Sequence, residues 1–107
     1  MTTLDMSLDN AALYGGCVVT KKGGRNHLET ESLVALSTVQ QNAHLIFAQL
    51  KVSGETSIAI TGAMTIWSYA AVSLIANLYF DEIFLIDKKG VQHQLKPSHD
   101  SNTTKNA

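Results

Sequence analysis

The side chains able to do chemistry gather in two short stretches, Thr61-Gly62-Ala63-Met64-Thr65 and Asp87-Lys88-Lys89. Gly62 allows a backbone to approach a phosphate, Thr61 and Thr65 offer hydroxyls, and Lys88 or Lys89 offers positive charge. That set suits binding of a small anion. Each piece also has a plain structural reading, since a tight strand-to-helix turn needs a glycine and Asp-Lys-Lys-Gly makes an ordinary hairpin turn. Two rings follow the first stretch. Trp67 shares a helical stripe with Ala70, Ala71, Leu74 and Leu78, which makes it a core residue. Tyr69 lies on the face of Thr65, Ser73 and Asn77. Stacking on a nucleobase is the alternative for either ring. Lys21, Lys22, Arg25 and His27 form a basic hairpin tip, read as a solvated turn, with phosphate contact as the minority reading. His44 reads as structural, and His93 is a general acid or base only beside a reacting group. His99 lies in the polar tail. The sequence has no nucleophile–base motif, P-loop, dinucleotide fingerprint or pair of catalytic carboxylates. It offers no cofactor or metal signal and no positive reason to assign an enzyme.

The two stretches must be brought together by the elements around them. At 107 residues the chain has room for one core. Its 45% hydrophobic and 16% charged content is that of a globular domain. A net charge of −1 argues against a dedicated binder of long nucleic acid. The single Cys17 suits a reducing compartment, and the chain reads as cytoplasmic, or as the cytoplasmic part of a membrane-anchored protein. No charge occurs between Glu55 and Asp81, a length able to cross a bilayer. Polar interruptions, Gly62 and a mean hydropathy of +0.05 instead favour a buried strand–helix unit.

Residues 1–12 read as a flexible leader, 13–96 as a single α/β ligand-binding domain, and 97–107 as a disordered tail. Tyr14–Thr20 and Asn26–Thr30 form a hairpin turning at Lys22-Gly23-Gly24-Arg25. Thr30 or Ser32 caps a helix carrying Leu33, Leu36, Val39, Ala43, Ile46 and Leu50 on one side, and Ser37, Gln40, Gln41 and Gln49 on the other. Thr56–Thr61 is a buried strand, Met64 to Leu78 a second helix, Glu82–Ile86 another buried strand, and Val91–Leu95 an edge strand. The order is ββαβαββ, an α/β (α+β) domain with a mixed sheet, and the strand–helix–strand unit predicts a right-handed parallel crossover. Both parallel strands then end at one sheet edge, where ligands favour the unpaired helix amides. The second helix has an uncharged face of Ser68, Ser73, Ala76 and Asn77, which predicts a homo-oligomer of closed symmetry, a dimer or tetramer.

The run from Ser57 to Leu95 resembles a family of small ferredoxin-like proteins of CRISPR antiviral systems. Members bind cyclic tetra-adenylate, and some cleave it as ring nucleases. An apolar strand ending in Gly62, Ile66-Trp67 opening a helix, and an apolar strand running into Asp87 carry the resemblance. It implies a two-layer ferredoxin-like fold and a phosphate-contacting loop at Gly62, Ala63, Met64, Thr65 and Ile66. The family's catalytic histidine falls at Ser68 or Tyr69, so this helix lacks it. The resemblance therefore implies a sensor domain of a type III CRISPR effector that holds the second messenger without cleaving it, with a membrane or effector module outside this chain. A ring nuclease, and a homo-oligomeric interaction module without a small ligand, are the alternatives.

Overall fold

Ser57-Ile-Ala-Ile-Thr61 and Glu82-Ile-Phe-Leu-Ile86 are strongly β-forming runs whose one charge is Glu82, and they make the centre of the sheet. A computed structural model describes residues 1–97. Its elements are β1 (Thr2–Asp5), β2 (Val19–Lys22), β3 (Arg25–Leu28), α1 (Ser32–Val52), β4 (Ser57–Thr61), α2 (Ile66–Tyr79), β5 (Glu82–Ile86) and β6 (Gln92–Lys96). One mixed sheet runs β1-β4-β5-β6, and β2 and β3 form a separate antiparallel pair. β4 is parallel to both β1 and β5, whereas β6 returns antiparallel along β5. The chain is thus an α+β domain with two helices. The expected parallel pairing of β4 with β5 is present.

The leader reading is overturned. Thr2–Asp5 is an edge strand in register with Ile58–Thr61, because the inner strand β4 has ladder groups on both sides and β1 supplies the second partner. The amide of Met6 continues the ladder, donating to the Thr61 carbonyl at 2.7 Å. Leu4, Met6, Leu13 and Tyr14 are buried, so the first fourteen residues build core. Their return loop is pinned to α1 by Asn42, whose Nδ2 donates to the carbonyls of Leu13 (2.9 Å) and Gly15 (2.8 Å). That loop also shortens the first hairpin strand, which begins at Val19 instead of Tyr14. Of the tail, residues 98–107, including His99, lie outside the described residues.

Tyr14 carries a prediction. Its hydroxyl donates to the Met6 carbonyl, and burial pushes its pKa from 10.0 up to about 12. The unfolded chain loses that proton about two pH units sooner, so stability is complete below pH ~10 and declines as pH rises through ~12, by at most about 2–3 kcal/mol in full. Tyr14→Phe should abolish this alkaline slope in denaturant titrations. It should also cost about 1–3 kcal/mol at neutral pH by leaving a buried carbonyl without its donor.

α2 sits at a different rotation from the expected one, and the buried face of α1 is offset from the predicted stripe, with which it shares Val39 and Ala43. α1 is capped by Glu31, whose Oε1 accepts from the Leu33 amide at 3.2 Å. Thr30 is not free to cap, because its Oγ1 accepts from the Val18 amide at 2.6 Å. The buried column of α1 is Ala35, Val39, Ala43 and Phe47. Leu36, Ile46 and Leu50 flank it half-buried, and Leu33 is 74% exposed. Ser37, Gln40, Gln41 and Gln49 face solvent as expected. In α2 the buried residues are Ser68, Ala71, Val72, Ile75 and Ala76. Ala70 and Asn77 are exposed, and Trp67 and Ser73 are half-buried. This splits the uncharged face predicted for α2, and it turns the Trp67–Leu78 stripe outward instead of into the core. Small residues at 68, 71 and 76 let α2 lie close to α1, which packs against it. Phe47 meets Phe80 edge-on at 5.2 Å, and His44 Nδ1 hydrogen-bonds the Tyr79 hydroxyl at 2.9 Å. His44 is a tie between the helices.

Lys96 closes the C-terminal end of α2, donating from Nζ to the carbonyls of Asn77 (3.2 Å) and Phe80 (2.9 Å). The inward side chains of the sheet, Leu4, Ile58, Ile60 and Ile83, complete the core with the helices. Among the described residues no helix is long and apolar enough to cross a membrane.

Candidate functional site

Because β4 and β5 are parallel, Thr61 and Ile86 end at the same sheet edge, and the Thr61 hydroxyl donates to the Ile86 carbonyl at 3.3 Å. The turn after each strand opens onto a cleft of about 640 Å³. Thr61, Gly62, Ala63 and Met64 form one wall. Leu85, Ile86, Asp87, Lys88 and His93 form the other, and Tyr69 reaches in from the first turns of α2. Two stretches more than twenty residues apart in sequence are therefore brought together where the topology predicts.

Gly62 has φ of +103°. A Cβ there would lie 2.4 Å from Asp5 Oδ1 and 2.9 Å from the amides of Met6 and Ser7. Its absence of a side chain is required by the crossing of β1's exit beneath the loop. Asp5 in turn is held by Ser7, whose amide donates to Oδ1 (2.8 Å) and hydroxyl to Oδ2 (2.9 Å). Tyr69 donates its hydroxyl to the Gly62 carbonyl and so fixes the loop. Burial, and then the charge of Asp5, push the Tyr69 pKa above its ordinary value, which keeps that hydroxyl a donor.

Asp87 organises the opposite wall. Its Oδ1 accepts from the amides of Lys89 and Val91, each at 2.9 Å, and Oδ2 meets His93 Nε2 at 2.9 Å. The hydrogen bond from His93, followed by that from the Val91 amide, holds its carboxyl below the usual carboxylate range. Stability drawn from these bonds is present above the unfolded carboxyl pKa and is lost as pH falls through the lower folded value.

The remaining candidates lie outside the cleft lining. Thr65 is the N-cap of α2 but makes no side-chain cap; its hydroxyl donates to Ser68 Oγ at 3.4 Å. Ile66 is 88% exposed. Trp67 is half-buried and Lys89 exposed, and neither lines the cleft. Of the two rings, Tyr69 alone is in place to meet a ligand there. The basic tip belongs to the separate β2–β3 hairpin, where Lys22 pairs with Glu29 at 3.3 Å. Among the described residues no group of His, Cys, Asp and Glu could hold a metal ion.

No family model, curated protein or solved structure matches this chain. The geometry of the cleft therefore carries the functional argument. Sequence reasoning missed Leu85, Ile86 and the Asp87–His93 pair. The signal was present: a tight turn at Asp87–Gly90 folds β6 back so that His93 lies opposite Leu85, within reach of the strand-end carboxylate.

Chemically, the cleft offers an apolar floor of Met64, Leu85 and Ile86, one exposed ammonium at Lys88, and hydroxyls at Thr61 and Tyr69. Its volume lies in the range of small-ligand pockets, about 300–1,000 Å³.

Proposed function

We propose that this domain binds a cyclic oligoadenylate, cyclic tetra-adenylate, as the sensor of a second messenger in type III CRISPR antiviral defence, and does not cleave it. The convergence of Thr61–Met64, Tyr69 and Lys88 on one cleft carries this reading, because it unites the loop and the strand end that the family resemblance joins. Apolar floor and Tyr69 suit an adenine face, and Lys88 suits a phosphate. The ferredoxin-like arrangement belongs to the same reading; two helices packed together beside a mixed four-stranded sheet are what the chain shares with it.

The reading includes a homo-oligomer, a dimer or tetramer. On this reading each cleft holds part of the four-nucleotide ring, and symmetric copies share it. Ile66, Ala70, Leu74 and Leu78 make an exposed apolar stripe at four-residue spacing along α2, with Leu74 73% and Leu78 67% exposed. It starts beside the cleft loop, so pairing through it brings two loops near one another. Leu74→Glu should leave the fold intact and give a monomer in light scattering, since a carboxylate buried between helices is costly. A parent chain that is monomeric at micromolar concentration, with and without ligand, would remove this part of the account.

Thermal shift tests the ligand. At a concentration about 100 times Kd, cyclic tetra-adenylate should stabilise the domain by about 2.7 kcal/mol. Lys88→Ala should weaken binding by about 1–3 kcal/mol, whereas Lys89→Ala should change it little. Equal losses in both would place the anion contact elsewhere on the turn. The Asp87–His93 pair favours a second reading, a ring nuclease, because a carboxylate-oriented imidazole in the cleft is the arrangement a general base needs. Appearance of linear adenylates would select it.

A further inference from the structure

Asp87 poses a difficulty for any anionic ligand in this cleft. Its Oδ1 is committed to two backbone amides of its own turn, so the carboxylate cannot swing away when a phosphate approaches Lys88. Among the described residues, the one side chain on it is His93, through Nε2 to Oδ2 at 2.9 Å. With neutral imidazole, the ionisable groups of this wall are one carboxylate and one ammonium, which cancel. With imidazolium, both ring nitrogens are donors, Asp87 is neutralised by one of them, and the other is free to donate. A single proton thus moves the wall from zero to one net positive charge. Tyr69, which faces the wall from α2, does not alter this sum, because its hydroxyl is neutral and donates to Gly62. The pair is open to solvent, with side chains 60% and 42% exposed, so proton exchange is unobstructed.

We propose that His93 is a ligand-binding residue of the cleft and that phosphate-bearing ligands enter it together with a proton on its imidazole. The cleft is then a pH-gated anion site whose affinity rises as pH falls. This deepens the cyclic-adenylate reading and rests on it for the natural ligand, but not for the proton coupling, which any phosphoanion should show.

The test is calorimetric titration of the full chain with two probes whose phosphodiesters keep a fixed charge over the range, cyclic tetra-adenylate and 3′,5′-cyclic AMP, at pH 6 and pH 8 in buffers of different ionisation heat. Affinity for either probe that binds should fall as pH rises, approaching about tenfold per pH unit for one coupled proton, with proton uptake visible as a buffer-dependent heat. His93→Gln should remove both the slope and the buffer dependence. Asp87→Asn keeps an acceptor for the turn amides, and should raise affinity at pH 8 and flatten the slope. If 3′,5′-cyclic AMP binds with these properties and cyclic tetra-adenylate does not bind, proton coupling stands and the natural-ligand reading falls. Binding of either probe without a pH slope, a slope that survives His93→Gln, or failure of both probes to bind at either pH overturns the proposal.

Discussion

Gly62→Ala should be the most damaging single-methyl change in this protein. The new Cβ would meet Asp5 Oδ1 and the amides of Met6 and Ser7 at distances no real Cβ tolerates, and two of those three atoms are backbone. To relieve the clash the loop must move off β1, which strains the 2.7 Å bond from Met6 to Thr61. A side chain at φ +103° adds about 1–3 kcal/mol of backbone strain on its own. Together these should cost more than about 3 kcal/mol, a large share of the 5–15 kcal/mol typical of a domain. Gly90→Ala is the control. It has φ of +82° with nothing within 4 Å of the added methyl, so it feels strain without collision. Denaturant midpoints should place Gly62→Ala well below Gly90→Ala; equal midpoints would mean that β1 does not pass beneath the loop. The same contact makes any bulky substitution at Gly62 a test of folding and disqualifies it as a test of ligand contact.

Phe47→Ala should cost about 3–5 kcal/mol, the range for deleting a buried aromatic. Phe47 is fully buried, edge-on to Phe80 and tilted against Tyr79 at 6.1 Å. Leu33→Ala, at the exposed start of the same helix, should change stability by less than about 0.5 kcal/mol. This pair fixes the rotation of α1. A larger loss at Leu33 than at Phe47 would restore the face that the leucine spacing suggests.

That contrast shows where sequence reading works in this chain and where it stops. Central strands were legible because Ser57–Thr61 and Glu82–Ile86 are rich in β-branched and large apolar residues, carry only Glu82 as a charge and are bounded by turn residues, and β5 runs over the expected residues. The convergence of Gly62 with Asp87–Lys88 then followed from parallel topology alone. Helix rotation was legible only in part: Val39 and Ala43 of the predicted α1 stripe are buried, whereas of the predicted α2 core stripe only Ala71 is. α2 is apolar nearly all round, so periodicity cannot choose its buried side, and small residues able to pack closely outweighed the larger leucines. In α1 the large Leu33 and Leu36 drew the stripe away from the Ala35–Val39–Ala43–Phe47 column. β1 escaped notice because four residues beginning with two threonines carry no pattern, and its stability comes from β4 alongside it. Asp87 and His93 are partners only through the hairpin between them, which a linear reading treats as two unrelated residues.

On the proposed reading, a cleft at the carboxyl ends of β4 and β5 holds a cyclic adenylate intact. Incubating the parent chain and Lys88→Ala with radiolabelled cyclic tetra-adenylate, then separating bound, free and linear species over an hour, tests it most directly. The parent should retain the label as uncut ring, and Lys88→Ala should lose it. No retention by the parent, or conversion to linear product within minutes, would contradict it.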